Sequence, residues 1–406
     1  MKISRLDALI MEQEQVNTLD RETIEAIQLA KLNRLLARER ERGGFYRGLP
    51  ERLDSLAELG SLPFTTEADL ARSAPGMLLT SQSRIRRIIS ETTSGTTGAA
   101  KRVFYTDGDL ENTVRLYMAG LGELIFPGSR TMICFPFSGP HGLGELIAEA
   151  VTRLGARPLK LGPSLSYGEF AAVLEREQPD TFVGMPVQLL SLLRACGRGS
   201  LRRALVSGDA CPDSVISGCE RILGSRLFPH YGSREMGMAG AITCPAHEGM
   251  HLRENYVIPE IVDETGQALP RGEWGELVIT TVGMEALPLI RYRTGDVTRI
   301  LPEPCPCGSA TIRLDRLRRR AGNRIEELDE ALFALPELVD YTARLEDGEL
   351  RIRGLTAGPY PTEKIQNRAE GIFPGVGIRV ELSPAGPEDR PLNPGKRILG
   401  GMEQFS

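Results

Sequence analysis

Apolar side chains recur along residues 20–42 at the spacing of a single helical face. Ile24 and Leu32 belong to this stripe, whereas Arg and Glu side chains fill the opposite face. Asp20 is a residue type that caps helix N-termini, and Gly43 is typical of a helix end. The pattern therefore predicts an amphipathic helix over residues 20–42.

Short apolar runs alternate with helical segments between residues 84 and 235. Such alternation with short connections predicts α/β layers around a largely parallel sheet. Ligands of such folds bind in the crevice beyond the carboxyl ends of the strands. The predicted strands and helices are, in chain order, Ile85–Ser90, Thr131–Phe135, Leu146–Leu154, Phe170–Glu175, Thr181–Gly184, Val187–Ala195, Ala204–Ser207, Val215–Leu223 and Leu227–His230.

The pattern changes again after residue 250, where strands dominate, and after residue 318, where a small α+β pattern begins. We therefore expect an α/β protein with a large, multi-layer N-terminal domain over 1–317. This domain should contain mixed or parallel sheets and a β-rich subdomain, and 318–406 should form a small α+β domain. The predicted elements are strands Tyr256–Val262, Glu276–Val282 and Val297–Leu301, helix Ile325–Leu335, a hairpin across Asp347-Gly348, helix Thr362–Ile372 and strand Ile378–Leu382.

Composition narrows the class of protein but not its chemistry. A chain of 406 residues predicts two or more domains, and 41% hydrophobic with 25% charged residues is ordinary for a soluble protein. The balance of 49 basic against 54 acidic residues gives no reason to expect nucleic acid as a partner. No apolar run is long enough for a membrane span or a signal peptide, and seven Cys fit a reducing compartment better than a disulfide framework. We expect a cytoplasmic protein.

A loop rich in Gly and hydroxyl residues follows the strand predicted to end at Ser90. Its sequence from Thr92 to Lys101 is TTSGTTGAAK. Two glycines let backbone N–H groups point inward, and hydroxyls and a Lys add further donors, which suits a polyphosphate. The Walker spacing is absent, and a Ser/Thr/Gly-rich surface turn is the alternative interpretation.

Two later segments carry further candidate chemistry. The first, FPHYGSREMG from Phe228, offers a Tyr face that can stack on a base and a carboxylate that can hold Mg²⁺. The second, PLIRYRTGDV from Pro288, ends near an Asp that could accept two ribose hydroxyls or simply close a turn. For the first segment, the alternative is a loop with a half-buried Tyr and a solvated Glu.

Taken in order, these segments resemble the adenylate-forming superfamily, specifically its phenylacetate–coenzyme A ligase branch. The resemblance covers most of the first 320 residues. It rests on the three segments above, the third of them taken as Leu287–Val297. It also rests on Gly44–Arg47, Leu62–Leu70, Ser207–Ala210 and Arg313–Arg320.

The resemblance implies that a small carboxylic acid attacks the α-phosphorus of ATP, and that coenzyme A then displaces AMP from the acyl-adenylate. It also implies Mg²⁺, a C-terminal domain that moves between the two half-reactions, and a homodimer, which is common in the branch. The protein must mainly position the reacting groups and neutralise phosphate charge.

The resemblance also assigns roles to residues. The catalytic residues would be Glu235, Arg320 in the hinge motif, and Lys396 near the C-terminus. Phe137, His141 and Gly142 would line the acid pocket. The nucleotide would be bound by Ser94, Gly95, Thr96, Thr97, Gly98, Lys101, Ser207, Gly208, Asp209, Tyr231, Gly232, Ser233 and Asp296.

A cluster of soft ligands is the last candidate site. Cys305 and Cys307 form a tight pair, and Cys244 and His251 precede them in an order that the branch shares. A Cys₃His set suits a structural Zn²⁺ with no open position for chemistry. His247 is an alternative fourth ligand, and free buried cysteines are the alternative to a metal.

The chain departs from the family at two places. Arg234 stands where a Ser or Thr usually precedes the Glu, and the loop after Arg320 is short and lacks an Asp. Two further hypotheses follow: an adenylating enzyme that loads a carrier protein or an amine, and a catalytically weakened nucleotide-binding relative.

Overall fold

The computed structural model describes residues 3–92, 100–319, 324–393 and 395–400. Within these ranges, contacts divide the chain into two compact units, which are described separately below. The helices are α1 (Arg5–Glu14), α2 (Arg21–Arg42), α3 (Glu67–Ser73), α4 (Asp107–Leu121), α5 (Leu143–Arg153), α6 (Tyr167–Glu177), α7 (Pro186–Cys196), α8 (Asp213–Leu223), α9 (Ile325–Leu332) and α10 (Thr362–Ile372).

The strands follow the same chain order. They are β1 (Arg87–Thr92), β2 (Ala100–Tyr105), β3 (Arg130–Ile133), β4 (Arg157–Lys160), β5 (Thr181–Gly184), β6 (Arg203–Val206), β7 (Phe228–Tyr231), β8 (Ala241–Thr243), β9 (Met250–Leu252), β10 (Ile258–Val262), β11 (Gly275–Thr280), β12 (Tyr292–Thr298), β13 (Arg313–Leu314), β14 (Arg318–Arg319), β15 (Leu338–Glu346), β16 (Glu349–Thr356) and β17 (Gly377–Pro384).

The first unit comprises residues 1–123 and 230–317. Helix α2 begins where the Asp20 side chain accepts the Thr23 N–H and ends at Gly43 in the left-handed conformation. Its buried leucines pack with Ile258 and Ile290 into an apolar core. Antiparallel pairs β10–β11 and β11–β12 form a sheet beside the β1–β2 hairpin, so this unit holds the β-rich part of the chain.

The second unit comprises residues 124–229 and 318–406. Strands β4, β3, β5, β6 and β7 are hydrogen-bonded in that order, and all four pairs are parallel. The three strands β15 to β17 form a small sheet with α9 and α10. One apolar core joins both parts of this unit, because buried residues such as Leu190 in α7 and Leu328 in α9 belong to the same cluster.

Most predicted elements are present, and the predicted α/β architecture is confirmed by the folds of known relatives reported below. Helix 20–42 is correct to one residue, and strand Thr181–Gly184 is correct at both ends. The predicted strand Val297–Leu301 is wrong in position, because the strand runs over Tyr292–Thr298. Within this strand Arg293 pairs with Glu276 and Asp296 accepts from Tyr231, and such polar residues hide the strand from a search for apolar runs.

The predicted domain boundary coincides with the end of the first unit at Leu317, but residues 318–406 cluster with residues 124–229. The separate, mobile C-terminal domain therefore stays a prediction. In the described ranges, no helix combines the length and the apolar character that a membrane span requires.

Candidate active site

The β1–β2 hairpin of the first unit flanks the predicted phosphate loop. Its strands pair from Arg87↔Tyr105 to Thr92↔Ala100, and the predicted loop lies between these two strands in the sequence. The predicted residues Ser94, Gly95, Thr96, Thr97 and Gly98 lie outside the described residues. Lys101 lies in β2, where it pairs with Glu91, next to the pair Thr92↔Ala100.

Lys101 and Glu235 form an ion pair in the first unit. The Lys101 ammonium lies 2.7 Å from Glu235 Oε1 and 3.4 Å from Glu67 Oε1. Burial alone would raise the pKa of Glu235, but the Lys101 charge and hydrogen bond bring that pKa below its ordinary value. Glu235 is therefore a carboxylate at neutral pH, with a cation already beside it.

Tyr231 and Asp296 meet in the same unit. The Tyr231 hydroxyl donates to Asp296 Oδ2 at 2.8 Å. Burial raises the pKa of Tyr231 well above its ordinary value, so the phenol keeps its proton and acts as donor. Asp296 follows Gly295, which has a positive φ of 76°, and its own N–H donates to Thr294 Oγ1. This irregular part of β12 thus holds the carboxylate against the Tyr231 hydroxyl.

The loop after Tyr231 is held from several sides. Gly232 leaves no room for a side chain, because a Cβ there would lie 2.6 Å from the Met238 carbonyl oxygen. The Ser233 carbonyl accepts the N–H groups of Met236 and Met238. These contacts fix the backbone that carries Glu235, which is four residues after Tyr231 in the sequence.

Sequence reasoning missed three residues that hold this cluster. Tyr292 donates to Glu235 Oε1 at 3.4 Å, Tyr105 donates to the Arg234 carbonyl at 2.8 Å, and Glu67 shares Lys101. Tyr292 and Glu67 stand inside segments that carried the family resemblance, so those segments contained a signal. Tyr105 lies in a plain strand and gave none.

The predicted nucleotide residues Ser207, Gly208 and Asp209 lie in the second unit, just after β6. Ser207 N–H donates to the Gly184 carbonyl, which continues the ladder between β5 and β6. Gly208 has a φ of 89°, and a Cβ there would lie 3.2 Å from the Phe135 ring. Both facts require glycine at the carboxyl end of this strand, where α/β folds bind ligands.

The predicted acid-pocket residues also lie in the second unit. Phe137 is half-buried, and its ring lies 5.8 Å from the Lys160 ammonium. Gly142 is buried and precedes α5, whereas His141 is exposed and has a φ of 66°. The predicted place of His141 in the acid pocket stays a prediction.

Arg320 and Lys396 are the two remaining catalytic candidates. Arg320 lies outside the described residues. Lys396 is exposed, and the next residue, Arg397, donates its backbone N–H to Asp209 Oδ2 at 2.7 Å. The second unit therefore places the residue after Lys396 against the loop that follows β6.

The four predicted metal ligands converge in the first unit. The ligand atoms of Cys244, His251, Cys305 and Cys307 all lie within 4.8 Å of one another. Cys244 Sγ lies 3.6 Å from Cys305 Sγ, close to the separation of about 3.8 Å between two thiolates on a tetrahedral Zn²⁺. His251, and not the alternative His247, belongs to this cluster.

The imidazole of His251 is oriented by its second nitrogen. Nδ1 lies 3.0 Å from Thr311 Oγ1, which leaves Nε2 3.3 Å from Cys307 Sγ. The Cys305–Cys307 loop is fixed in turn by Asp7, which accepts from the Ser309 hydroxyl and the Ala310 N–H. Such second contacts are typical of metal ligands, so the donor set and its support fit a zinc ion.

Comparisons with known proteins identify relatives of this chain. The sequence model of the family described as AMP-binding enzyme matches residues 92–285. The phenylacetate–coenzyme A ligase of Pseudomonas putida is 30% identical over 86% of this chain and 77% of its own length. That of Thermus thermophilus is 28% identical over 84% of each chain. The crystal structure of a 2-hydroxyisobutyryl-CoA ligase has the same fold, with a TM-score of 0.78 over 96% of this chain and 92% of that one, at 19% identity.

The site and fold thus define an adenylate-forming enzyme. Within that class, the chain belongs to the phenylacetate–coenzyme A ligase family. Membership confirms the predicted class of activity, in which ATP activates a carboxylic acid as its acyl-adenylate and coenzyme A receives the acyl group.

Proposed function

We propose that this enzyme activates a small acid with an apolar acyl group, and that Lys101, Tyr231, Glu235, Asp296 and Lys396 carry the chemistry. The observation that carries this assignment is the convergence of Lys101 with Glu235 and of Tyr231 with Asp296 in one unit. Lys101 and Glu235 are 134 positions apart in the sequence. The two pairs together offer charged groups for phosphates and Mg²⁺, and a ring and a carboxylate for a nucleoside.

In the first half-reaction, a carboxylate oxygen of the acid attacks the α-phosphorus, and the bond from that phosphorus to pyrophosphate breaks. Lys101 can exchange a carboxylate partner for phosphate oxygens, because its ammonium is a single charge on a flexible stem. Asp296 can accept ribose hydroxyls while Tyr231 covers the base. In the second half-reaction, the coenzyme A thiolate attacks the acyl carbon and AMP leaves with its oxygen.

Glu235 is the residue that would hold Mg²⁺, since hard cations prefer carboxylate oxygens and its pKa is lowered. The ion would neutralise phosphate charge next to the attacked phosphorus. The single positive charge of Lys101 is too small to neutralise the negative charge of a triphosphate. A second cation beside Lys101 and Glu235 therefore fits the chemistry.

The walls near Gly208 favour an apolar acyl group. The Phe135 ring and the Met185 side chain are the nearest groups to Gly208, at 3.2 and 3.5 Å from a Cβ built there. Phe137, two residues after Phe135, adds a second ring to the segment that follows β3. Aromatic and thioether walls favour hydrophobic acids over dicarboxylates, because a second charge there would be desolvated.

The test is pyrophosphate release from a panel of acids, each measured with and without coenzyme A. We expect apolar monocarboxylic acids to give the highest turnover, and thioester to form only with coenzyme A present. Product that forms with an added amine or carrier protein but not with coenzyme A would contradict the assignment of the acceptor.

Lys396→Ala should lower adenylate formation by roughly 100-fold or more, because it removes a cation where charge develops, while ATP binding changes little. Lys364→Ala is the matched control, since Lys364 is an exposed lysine of the same C-terminal region. Full activity of Lys396→Ala would show that another residue supplies this charge.

We further propose that Cys244, His251, Cys305 and Cys307 hold a structural Zn²⁺. Bound zinc would cross-link β9 to the loop before β13 and would take no part in the reaction, since four protein ligands leave no open position. Cys305→Ser should lower both the zinc content and the melting temperature. Cys196→Ser is the control, because a hydroxyl can keep the bond of Cys196 to the Tyr167 carbonyl. Elemental analysis that finds no zinc in the native protein would end this proposal.

A further inference from the structure

Arg397 is buried directly after the exposed Lys396. Its guanidinium lies 2.8 Å from Asp329 and 3.5 Å from Asp340, and it donates to the Tyr341 carbonyl at 3.1 Å. The guanidinium also stacks on Tyr341, with 4.5 Å to the ring centroid. A guanidinium with carboxylates, a carbonyl and a ring around it has one available position, so it fixes the backbone to which it belongs.

The backbone of the same residue contacts the loop after β6. Arg397 N–H donates to Asp209 Oδ2 at 2.7 Å, while Asp209 Oδ1 accepts the Ala210 N–H at 2.9 Å. Both carboxylate oxygens are engaged, so the Asp209 side chain has a defined orientation. The peptide between Lys396 and Arg397 is thereby held beside the strand end where nucleotide residues are expected.

The flanks of this peptide are held as well. Before it, Asn393 donates to the Tyr341 carbonyl at 3.0 Å, and Leu392 N–H donates to Asp340. After it, Gly400 exchanges backbone hydrogen bonds with the edge of β15. The alternation of an exposed Lys396 and a buried Arg397 then directs the lysine away from the core of the unit.

We propose that Arg397 is a positioning residue for the reaction: it fixes Lys396 beside the Asp209 loop so that the ammonium can meet the developing charge. This inference rests on the role proposed above for Lys396. It goes beyond that role because it assigns the placement of the lysine to an arginine whose guanidinium is held by Asp329, Asp340 and Tyr341. The competing explanation is that the Arg397 cluster only stabilises the fold.

A double-mutant cycle separates the two explanations. In the parent enzyme, Arg397→Met should lower kcat for adenylate formation by roughly 100-fold, the size of loss expected for a misplaced catalytic group, while KM for ATP changes by about twofold or less. In the Lys396→Ala background, Arg397→Met should add about twofold or less, since the residue it positions is gone. All variants are compared well below their melting temperatures.

A second pair of variants covers the case in which Arg397→Met does not fold. Asp209→Asn keeps an oxygen that can accept the Arg397 N–H, whereas Asp209→Ala removes it. We expect Asp209→Ala to lose more adenylation activity than Asp209→Asn, and this difference should vanish in the Lys396→Ala background.

The outcomes are distinct. Equal losses from Arg397→Met in both backgrounds, or an Asp209 difference that persists without Lys396, would overturn the positioning role and leave the role of Lys396 intact. Full activity of Lys396→Ala alone would overturn the role of Lys396 and the positioning role together.

Discussion

The Lys101 cluster of the first unit and the Arg397 cluster of the second unit use different cations. In the first unit, Lys101 pairs with Glu235 and with the side chain of Glu67, which is 55% exposed. In the second unit, Arg397 pairs with Asp329 and Asp340, and all three side chains are at most 5% exposed. A lysine at the edge of solvent can exchange partners, whereas a stacked arginine fork is fixed. The first cluster therefore suits ligand binding and the second suits permanent placement.

The largest effect should come from breaking the fixed cluster. Asp329→Ala leaves Arg397 buried without its nearest carboxylate, and removing one partner of a buried pair typically costs about 3–5 kcal/mol of unfolding free energy. Glu67→Ala, at the exposed side of the other cluster, should change the unfolding free energy by about 0.5 kcal/mol or less. Denaturant unfolding measures both values, and equal losses would contradict the distinction between the clusters.

Changes in the Lys101–Glu235 cluster should alter the turnover of the enzyme. Glu235→Gln removes the charge that would hold Mg²⁺, so turnover with Mg²⁺ and ATP should fall by roughly 100-fold, in the range seen when an electrostatic contact to the transition state is lost. Glu67→Gln is the matched control, since Glu67 also contacts Lys101 but is exposed, and its loss should be much smaller. Unchanged turnover of Glu235→Gln across a magnesium titration would remove Glu235 from the site.

The smallest effect is a difference in pH dependence between the clusters. Burial raises the pKa of Asp340 to about 6, so the stability it contributes is complete below the unfolded value and is lost as pH rises through 6. The pKa of Glu235 is lowered, so its contribution is present above the unfolded value and is lost as pH falls.

The measurement is the unfolding free energy of the parent minus that of Asp340→Asn, followed from pH 4 to pH 6. This difference should fall by up to roughly 1.4 kcal/mol per pH unit. The corresponding difference for Glu235→Gln should rise with pH, and this rise should lie below the ordinary glutamate pKa of 4.5. Parallel curves for the two variants would show that the clusters do not differ in this way.

The sequence predicted elements where local rules and burial agree. Helix α2 has a capping Asp, an apolar stripe and a terminal Gly, so each signal supported the same interpretation. Strand β4 was missed, because Leu159 is its one fully buried residue and RPLK offers no apolar run. Helix α1 was missed too, although Ser4 caps it and Leu6, Leu9 and Ile10 form a buried stripe that could have revealed it.

Residue types at the site could be named from the sequence, but their pairings could not. The convergence of Cys244, His251, Cys305 and Cys307 was predictable because their order matches the branch, whereas the zinc ion itself stays a proposal. The contact between Lys101 and Glu235 depends on how a hairpin meets a loop more than a hundred residues later, which no local pattern encodes. The predicted phosphate loop and Arg320 lie outside the described residues and stay predictions.

The contact between Asp7 and Ser309 has a consequence for biosynthesis. These residues are 302 positions apart, yet the aspartate holds the loop that carries Cys305 and Cys307. At a translation rate of about 5–20 residues per second, helix α1 waits roughly 15–60 s on the ribosome before its partner is synthesised. During that interval Asp7 lacks its partners Ser309 and Ala310, so the contact that orders the cysteine loop forms only after most of the chain has been synthesised.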